Sequence, residues 1–124
     1  VFYGDEAGLQ GFEDPLNRGT YPWGQEDSSL LAYFRQLGAL RKQRVSLQCG
    51  DIDYLYAVGG GLVLRRQSEN EVTVAAMNAG MQPLELSISW SGALAKDALT
   101  GQQFFARNGM LRLTLPPVGG VLLV

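Results

Sequence analysis

The rhythm of polar and apolar positions changes near residue 46. Before it, Leu30, Phe34 and Leu37, and likewise Tyr33, Leu37 and Leu40, recur every three or four positions. That spacing predicts a helix over residues 28–44 with one broad apolar face. Asp27 or Ser28 supplies the oxygen that caps its first turn. Arg41, Lys42 and Arg44 fall at its other end, where the helix dipole favours cations, and read as a solvated helix terminus. Gly38 weakens such a helix by about 1 kcal/mol relative to Ala, so a close packing contact is expected there. Ahead of the helix, Val1, Phe2 and Tyr3 predict a short strand that Gly4 ends. A long loop follows, punctuated by Asp14-Pro15, Asn17, Gly19, Pro22 and Gly24. Loops of that length are uncommon in compact domains unless they serve a function.

After residue 46 the period shortens to two. Ile52 to Val58 and Leu62 to Gln67 flank Gly59-Gly60-Gly61 and predict a hairpin. Glu71 to Asn78 places Val72, Val74 and Ala76 on one face. Leu84, Leu86 and Ile88 alternate with Glu85, Ser87 and Ser89, the mark of a half-buried strand. Thr100-Gly101 turns the chain towards Phe104 and Phe105; Leu111, Leu113 and Leu115 alternate again, and Val121 to Val124 makes a last strand after Pro116-Pro117. Seven or eight short strands at this spacing predict a mainly β fold, an antiparallel Greek-key-like sandwich over 46–124. A lone strand-loop-helix unit over 1–45 cannot bury its own apolar faces, so it reads as the last piece of a larger α/β structure.

Composition removes several chemistries. The 124 residues include no histidine and one cysteine, which excludes a Ser-His-Asp triad, a Cys-His pair, a His-ligated metal and an intrachain disulfide. Cys49 reads as a small buried apolar side chain, because no base stands near it in sequence. The net charge of −2 divides evenly, with six acids and five bases on each side of Val45, so no nucleic-acid partner is expected. No apolar run approaches the ~20 residues of a membrane helix, and no membrane partner is expected. The start lacks both an initiator Met and a signal-type apolar stretch, which suggests a fragment or processed product, leaves localisation unassigned and gives cytoplasm only a slight edge. Asp51 and Asp53 share a strand face, but two carboxylates fall short of a calcium site, and no metal or cofactor is expected.

Three groups of residues, in order, then carry a resemblance. They are Phe2-Tyr3-Gly4-Asp5-Glu6-Ala7-Gly8; Asp14-Pro15-Leu16-Asn17-Arg18 with Tyr21-Pro22-Trp23; and the helix ending Leu37-Gly38-Ala39-Leu40-Arg41-Lys42. They resemble the eighth barrel strand, the following loop and the eighth helix of α-amylase-clan glycoside hydrolases, in particular neopullulanases, cyclomaltodextrinases and maltogenic enzymes. Ala98-Leu99-Thr100-Gly101 and Leu115-Pro116-Pro117 are similar to the β-sandwich these enzymes carry after the barrel.

The resemblance implies a retaining parent enzyme acting on α-glucans or maltooligosaccharides. Its (β/α)8 barrel would hold three catalytic carboxylates after the fourth, fifth and seventh strands. This chain begins at the eighth, so no catalytic residue is assigned and the segment alone is expected to be inactive. Adjacent Asp5 and Glu6 on an extended strand would point to opposite faces, whereas retention needs two carboxyls ~5–5.5 Å apart across one bond. In the clan, the Asp and Arg of an Asp-Pro-x-x-Arg loop contact sugar hydroxyls, which makes Asp14 and Arg18 the substrate-binding candidates. Read without the family, they are instead a surface ion pair worth under ~1 kcal/mol. Trp23 and Tyr21 could stack on a sugar or pack the loop. Two alternatives stay open for the sandwich: a carbohydrate-binding module using Tyr54 and Tyr56 as a stacking platform, or a structural domain. On the structural reading, the helix face of Leu30, Phe34 and Leu37 is exposed and supports self-association.

Overall fold

The computed structural model describes residues 3–11, 13–14 and 18–124. The chain forms two compact units, Val1–Arg41 and Lys42–Val124.

In the first unit, Tyr3 and Gly4 lie in a turn that runs into a 3-10 segment, Asp5–Ala7. The predicted strand falls largely on Val1 and Phe2, which lie outside the described residues; Tyr3 itself is not in a strand. Gly4 takes φ 83, and a Cβ there would meet Leu9 at 2.8 Å, so both the left-handed backbone and the tight contact require glycine. The buried Ala7 accepts a hydrogen bond from the Asp27 N–H through its carbonyl, 3.0 Å, tying the turn to the start of the helix.

Helix α1 spans Ser28–Gln43. Asp27 is its cap: Oδ1 accepts from the N–H groups of Ser29 (3.0 Å) and Leu30 (2.9 Å) and from the Ser29 hydroxyl (2.6 Å). These bonds, the Ser29 hydroxyl foremost, hold the Asp27 pKa below its ordinary value. Leu30, Phe34, Leu37 and Leu40 form the predicted stripe, half-buried rather than exposed. Among the described residues nothing lies within 4 Å of a Cβ built at Gly38, so they supply no packing contact of the kind expected there. A short second helix, α2 (Val45–Cys49), follows unpredicted; five residues are too few to show a period.

The second unit carries eight strands. They are β1 (Asp51–Val58), β2 (Gly61–Ser68), β3 (Glu71–Asn78), β4 (Leu84–Ser89), β5 (Leu94–Lys96), β6 (Gln103–Phe105), β7 (Met110–Leu115) and β8 (Gly119–Leu123). All pairings are antiparallel, in the order β1-β2-β3-β8, with β4-β7 and β5-β6 as separate pairs. The chain therefore leaves the first sheet after β3 and returns as β8 beside it, the antiparallel sandwich that the alternation predicts. Val63, Val74, Ala76 and Leu123 on one side meet Leu86, Ile88, Leu111 and Leu115 on the other in one core. β7 alternates exposed and buried along its length, as its Leu-x-Leu-x-Leu pattern dictates.

Candidate functional site

The loop of the first unit holds the predicted substrate residues. Arg18 Nε donates to Asp14 Oδ1 (2.7 Å) and Nη2 donates to Oδ2 (3.1 Å), a bidentate fork on two largely exposed side chains. Pro15, Leu16 and Asn17 between them lie outside the described residues. Tyr21 sits 4.6 Å from Trp23, ring centre to ring centre, and 6.3 Å from Tyr3 in an edge-on contact. Trp23 is otherwise open, with 82% of its surface exposed. Partial burial, then the carboxylates of Glu6 and Glu26, push the Tyr21 hydroxyl above its ordinary pKa. The loop thus presents a carboxylate, a guanidinium and an indole to solvent.

The other candidates separate. Tyr54 and Tyr56 do not share a face. A bulge between them pairs Tyr54 with Leu64 but Tyr56 with Val63, and consecutive partners point to opposite sides. Tyr56 packs on the core, Tyr54 is 72% exposed, and no two-tyrosine platform forms. Cys49 is exposed rather than buried, because α2 turns it outward at its last residue. Asp53 pairs with Arg65 at 2.7 Å instead of with Asp51. Among the described residues no group of three or more His, Cys, Asp or Glu could hold a metal ion, and no helix is long and apolar enough to cross a membrane.

Two polar arrangements escape sequence reasoning. The first corrects the picture of Arg44 as part of a solvated helix end. Its Nε donates to Thr73 Oγ1 (2.7 Å) and its Nη2 to the Val72 carbonyl (2.9 Å). Thr73 Oγ1 lies 2.8 Å from Ser46 Oγ, and Ser46 donates both its hydroxyl (2.5 Å) and its N–H (2.8 Å) to Glu71 Oε1. Arginine can only donate and carboxylate only accept, so every hydroxyl proton is aligned: Arg44 to Thr73, Thr73 to Ser46, Ser46 to Glu71. Ser46 and Thr73 are fully buried. The Ser46 hydroxyl, then its N–H, hold the Glu71 pKa below its ordinary value against the opposing effect of burial, with Arg44 adding a smaller push the same way. This relay pins α2 to β3; no signal within either segment reveals it, since the partners lie 25 or more positions apart.

The second explains the Ala98-Leu99-Thr100-Gly101 turn. Asp97 is 2% exposed, yet its carboxylate accepts from the Thr100 hydroxyl (2.5 Å), the Leu122 N–H (3.0 Å) and the Leu99 N–H (3.2 Å). Burial alone pushes its pKa up; these donors outweigh burial and the net shift is downward. One buried carboxylate thus shapes the turn and fastens it to β8. Asn78 does the same for Leu115-Pro116-Pro117, donating to the Pro116 (2.9 Å) and Gln82 (2.8 Å) carbonyls. Both motifs are structural staples.

No protein-family model matches the chain. It is 34% identical over 128 residues to a cyclomaltodextrinase of Geobacillus thermopakistaniensis (strain MAS1), covering 98% of this chain and 22% of that protein. An amylopullulanase of Thermoanaerobacterium saccharolyticum is 28% identical over 141 residues, covering all of this chain and 11% of its own length. Among solved structures, an Anoxybacillus α-amylase superposes with a TM-score of 0.88 at 29% identity, over 98% of this chain and 27% of that one. The chain therefore spans 8–26% of the length of the curated relatives it matches, while the match runs through loop, helix and sandwich alike. By sequence and fold the chain is similar throughout to a minor, β-sandwich-bearing part of α-amylase-family glycoside hydrolases.

Proposed function

We propose that this chain is the non-catalytic C-terminal part of a retaining hydrolase of α-glucosidic bonds, residues 1–45 closing a (β/α)8 barrel and 46–124 buttressing it. One observation carries the reading: a match over nearly the whole chain to enzymes named amylopullulanase, cyclomaltodextrinase and α-amylase, of which it accounts for only a small share. The acids support it. Asp14, Asp27, Asp53, Glu71 and Asp97 are each engaged by an Arg, a helix terminus, a hydroxyl or backbone N–H groups. On this reading Asp14 and Arg18 contact substrate hydroxyls: their fork is preformed and exposed, and each can exchange a partner for a sugar hydroxyl at little cost. The stripe of Leu30, Phe34 and Leu37 packs against the remainder of the barrel, and in isolation it drives self-association visible by sedimentation.

The test has two arms. The purified chain is assayed on maltooligosaccharides and pullulan, where no turnover is expected; reproducible turnover from independent preparations overturns the non-catalytic assignment. The same chain is titrated with maltotriose while the Arg18 Nε–H resonance is followed. A saturable shift that Asp14→Ala abolishes is expected, and an unmoved resonance removes Asp14 and Arg18 from the substrate contacts.

A further inference from the structure

On the inward face of the β1-β2-β3 sheet, alternation demands apolar residues, and the first cross-strand row obeys it: Tyr56, Val63 and Ala76. The next row is Asp53, Arg65 and Val74, and the one beyond is Asp51, Gln67 and Val72. Towards this end of the sandwich, charged and amide side chains therefore replace apolar ones on the core side. The two layers part there around a cleft of about 390 Å3. Val72 and Val74 of β3 line it together with Arg65 and Gln67 of β2, and Ser89 at the end of β4 with Trp90 and Ser91 beyond it complete the lining. The indole N–H of Trp90 is already used on the Leu94 carbonyl, 3.1 Å away, so the ring is fixed and offers the cleft its carbon framework.

We infer that this cleft is a second binding site, for a neutral sugar of one or two rings. Its size lies within the 300–1,000 Å3 or so of small-molecule sites. It combines the aromatic Trp90 and the aliphatic Val72 and Val74, which match the C–H faces of a pyranose, with donors and acceptors for hydroxyls on Arg65, Gln67, Ser89 and Ser91. Arg65 holds Asp53 through both Nε (3.1 Å) and Nη2 (2.7 Å), so the pair is charge-neutral as it stands. An anion would have to displace Asp53 from the guanidinium, whereas a polyol can accept from the N–H groups of Arg65 that Asp53 leaves unused without breaking the pair. Arg65 and Asp53 are 35% and 50% exposed, so both remain reachable. The inference is independent of the Asp14 and Arg18 loop and stands or falls separately.

The chain's two tryptophans make the sites distinguishable, since each indole N–H gives its own proton–nitrogen resonance and Trp23→Phe assigns them. Titration with maltotriose is expected to shift the Trp90 resonance saturably at millimolar concentration. Arg65→Met should weaken that binding at least tenfold. Ser91→Phe, at an exposed position that leaves the core intact, should block it, which keeps the test informative if the first variant unfolds. Sulfate and glucuronate should leave the resonance in place. A Trp90 resonance unmoved by maltotriose overturns the site, even if Trp23 shifts and the loop reading survives. Equal affinity in Ser91→Phe and the parent chain, or displacement by the anions in preference to the sugar, overturns it too.

Discussion

Replacing Glu71 by Gln keeps the size of the side chain and removes the charge that ends the Arg44–Thr73–Ser46 relay. Glu71 Oε1 accepts two bonds, at 2.5 and 2.8 Å, both from Ser46, which is fully buried. Hydrogen bonds to a charged group contribute about 1.5–3 kcal/mol and neutral ones about 0.5–1.5, so the two bonds together lose about 2 kcal/mol. For a unit of this size that is a fall of about 10 °C in Tm. The pH dependence separates this cause from mere repacking. The folded pKa of Glu71 lies below its ordinary 4.5. The stability its ionised form supplies is therefore fully present above that value and drains away as pH falls through the folded pKa. Urea unfolding of both proteins, followed by far-ultraviolet circular dichroism, should show the full gap at pH 7 and a gap that shrinks as the pH is lowered below the ordinary 4.5. A gap that stays the same size as the pH falls would refute the charged relay, as would one below about 0.5 kcal/mol at pH 7.

Asp97→Ala strips partners from the Leu122 and Leu99 N–H groups and the Thr100 hydroxyl at once, and should cost about 3 kcal/mol in urea unfolding; a loss under about 1 kcal/mol contradicts the staple role. Gly38→Ala meets no atom within 4 Å and should raise the stability of α1 by about 0.5–1 kcal/mol, read from the helical band on heating. Asp14→Ala should leave Tm within about 2 °C of the parent, because its ion pair is exposed, so any large loss of sugar contact at Arg18 cannot be blamed on unfolding. Cys49 should react fully with a thiol reagent in the native state; protection released only by urea would contradict its exposure.

What was legible from the chain alone follows from the range of each interaction. The sandwich was readable because burial of one strand face imposes a period of two, and Leu111, Leu113 and Leu115 satisfy it within six residues. The cap of α1 was readable because Asp27 reaches only to Ser29 and Leu30. The errors come where a distant partner or one extra residue decides. Arg44 looks like a solvated end until β3 brings Thr73 to it, and Tyr54 and Tyr56 look like one face until the bulge at Leu55 slips the register. Of the site, the Asp14 and Arg18 pair was visible through a motif five residues long. The Arg65 and Trp90 cleft was not, because its lining comes from separate segments, Arg65 and Gln67, Val72 and Val74, and Ser89 to Ser91, and each segment taken singly reads as an ordinary strand or strand end. The polar row of Asp53 and Arg65 is nevertheless where sequence held a clue. A charged pair at inward positions breaks the alternation that the Tyr56, Val63 and Ala76 row keeps, and such breaks tend to mark function, because packing alone would have selected against them.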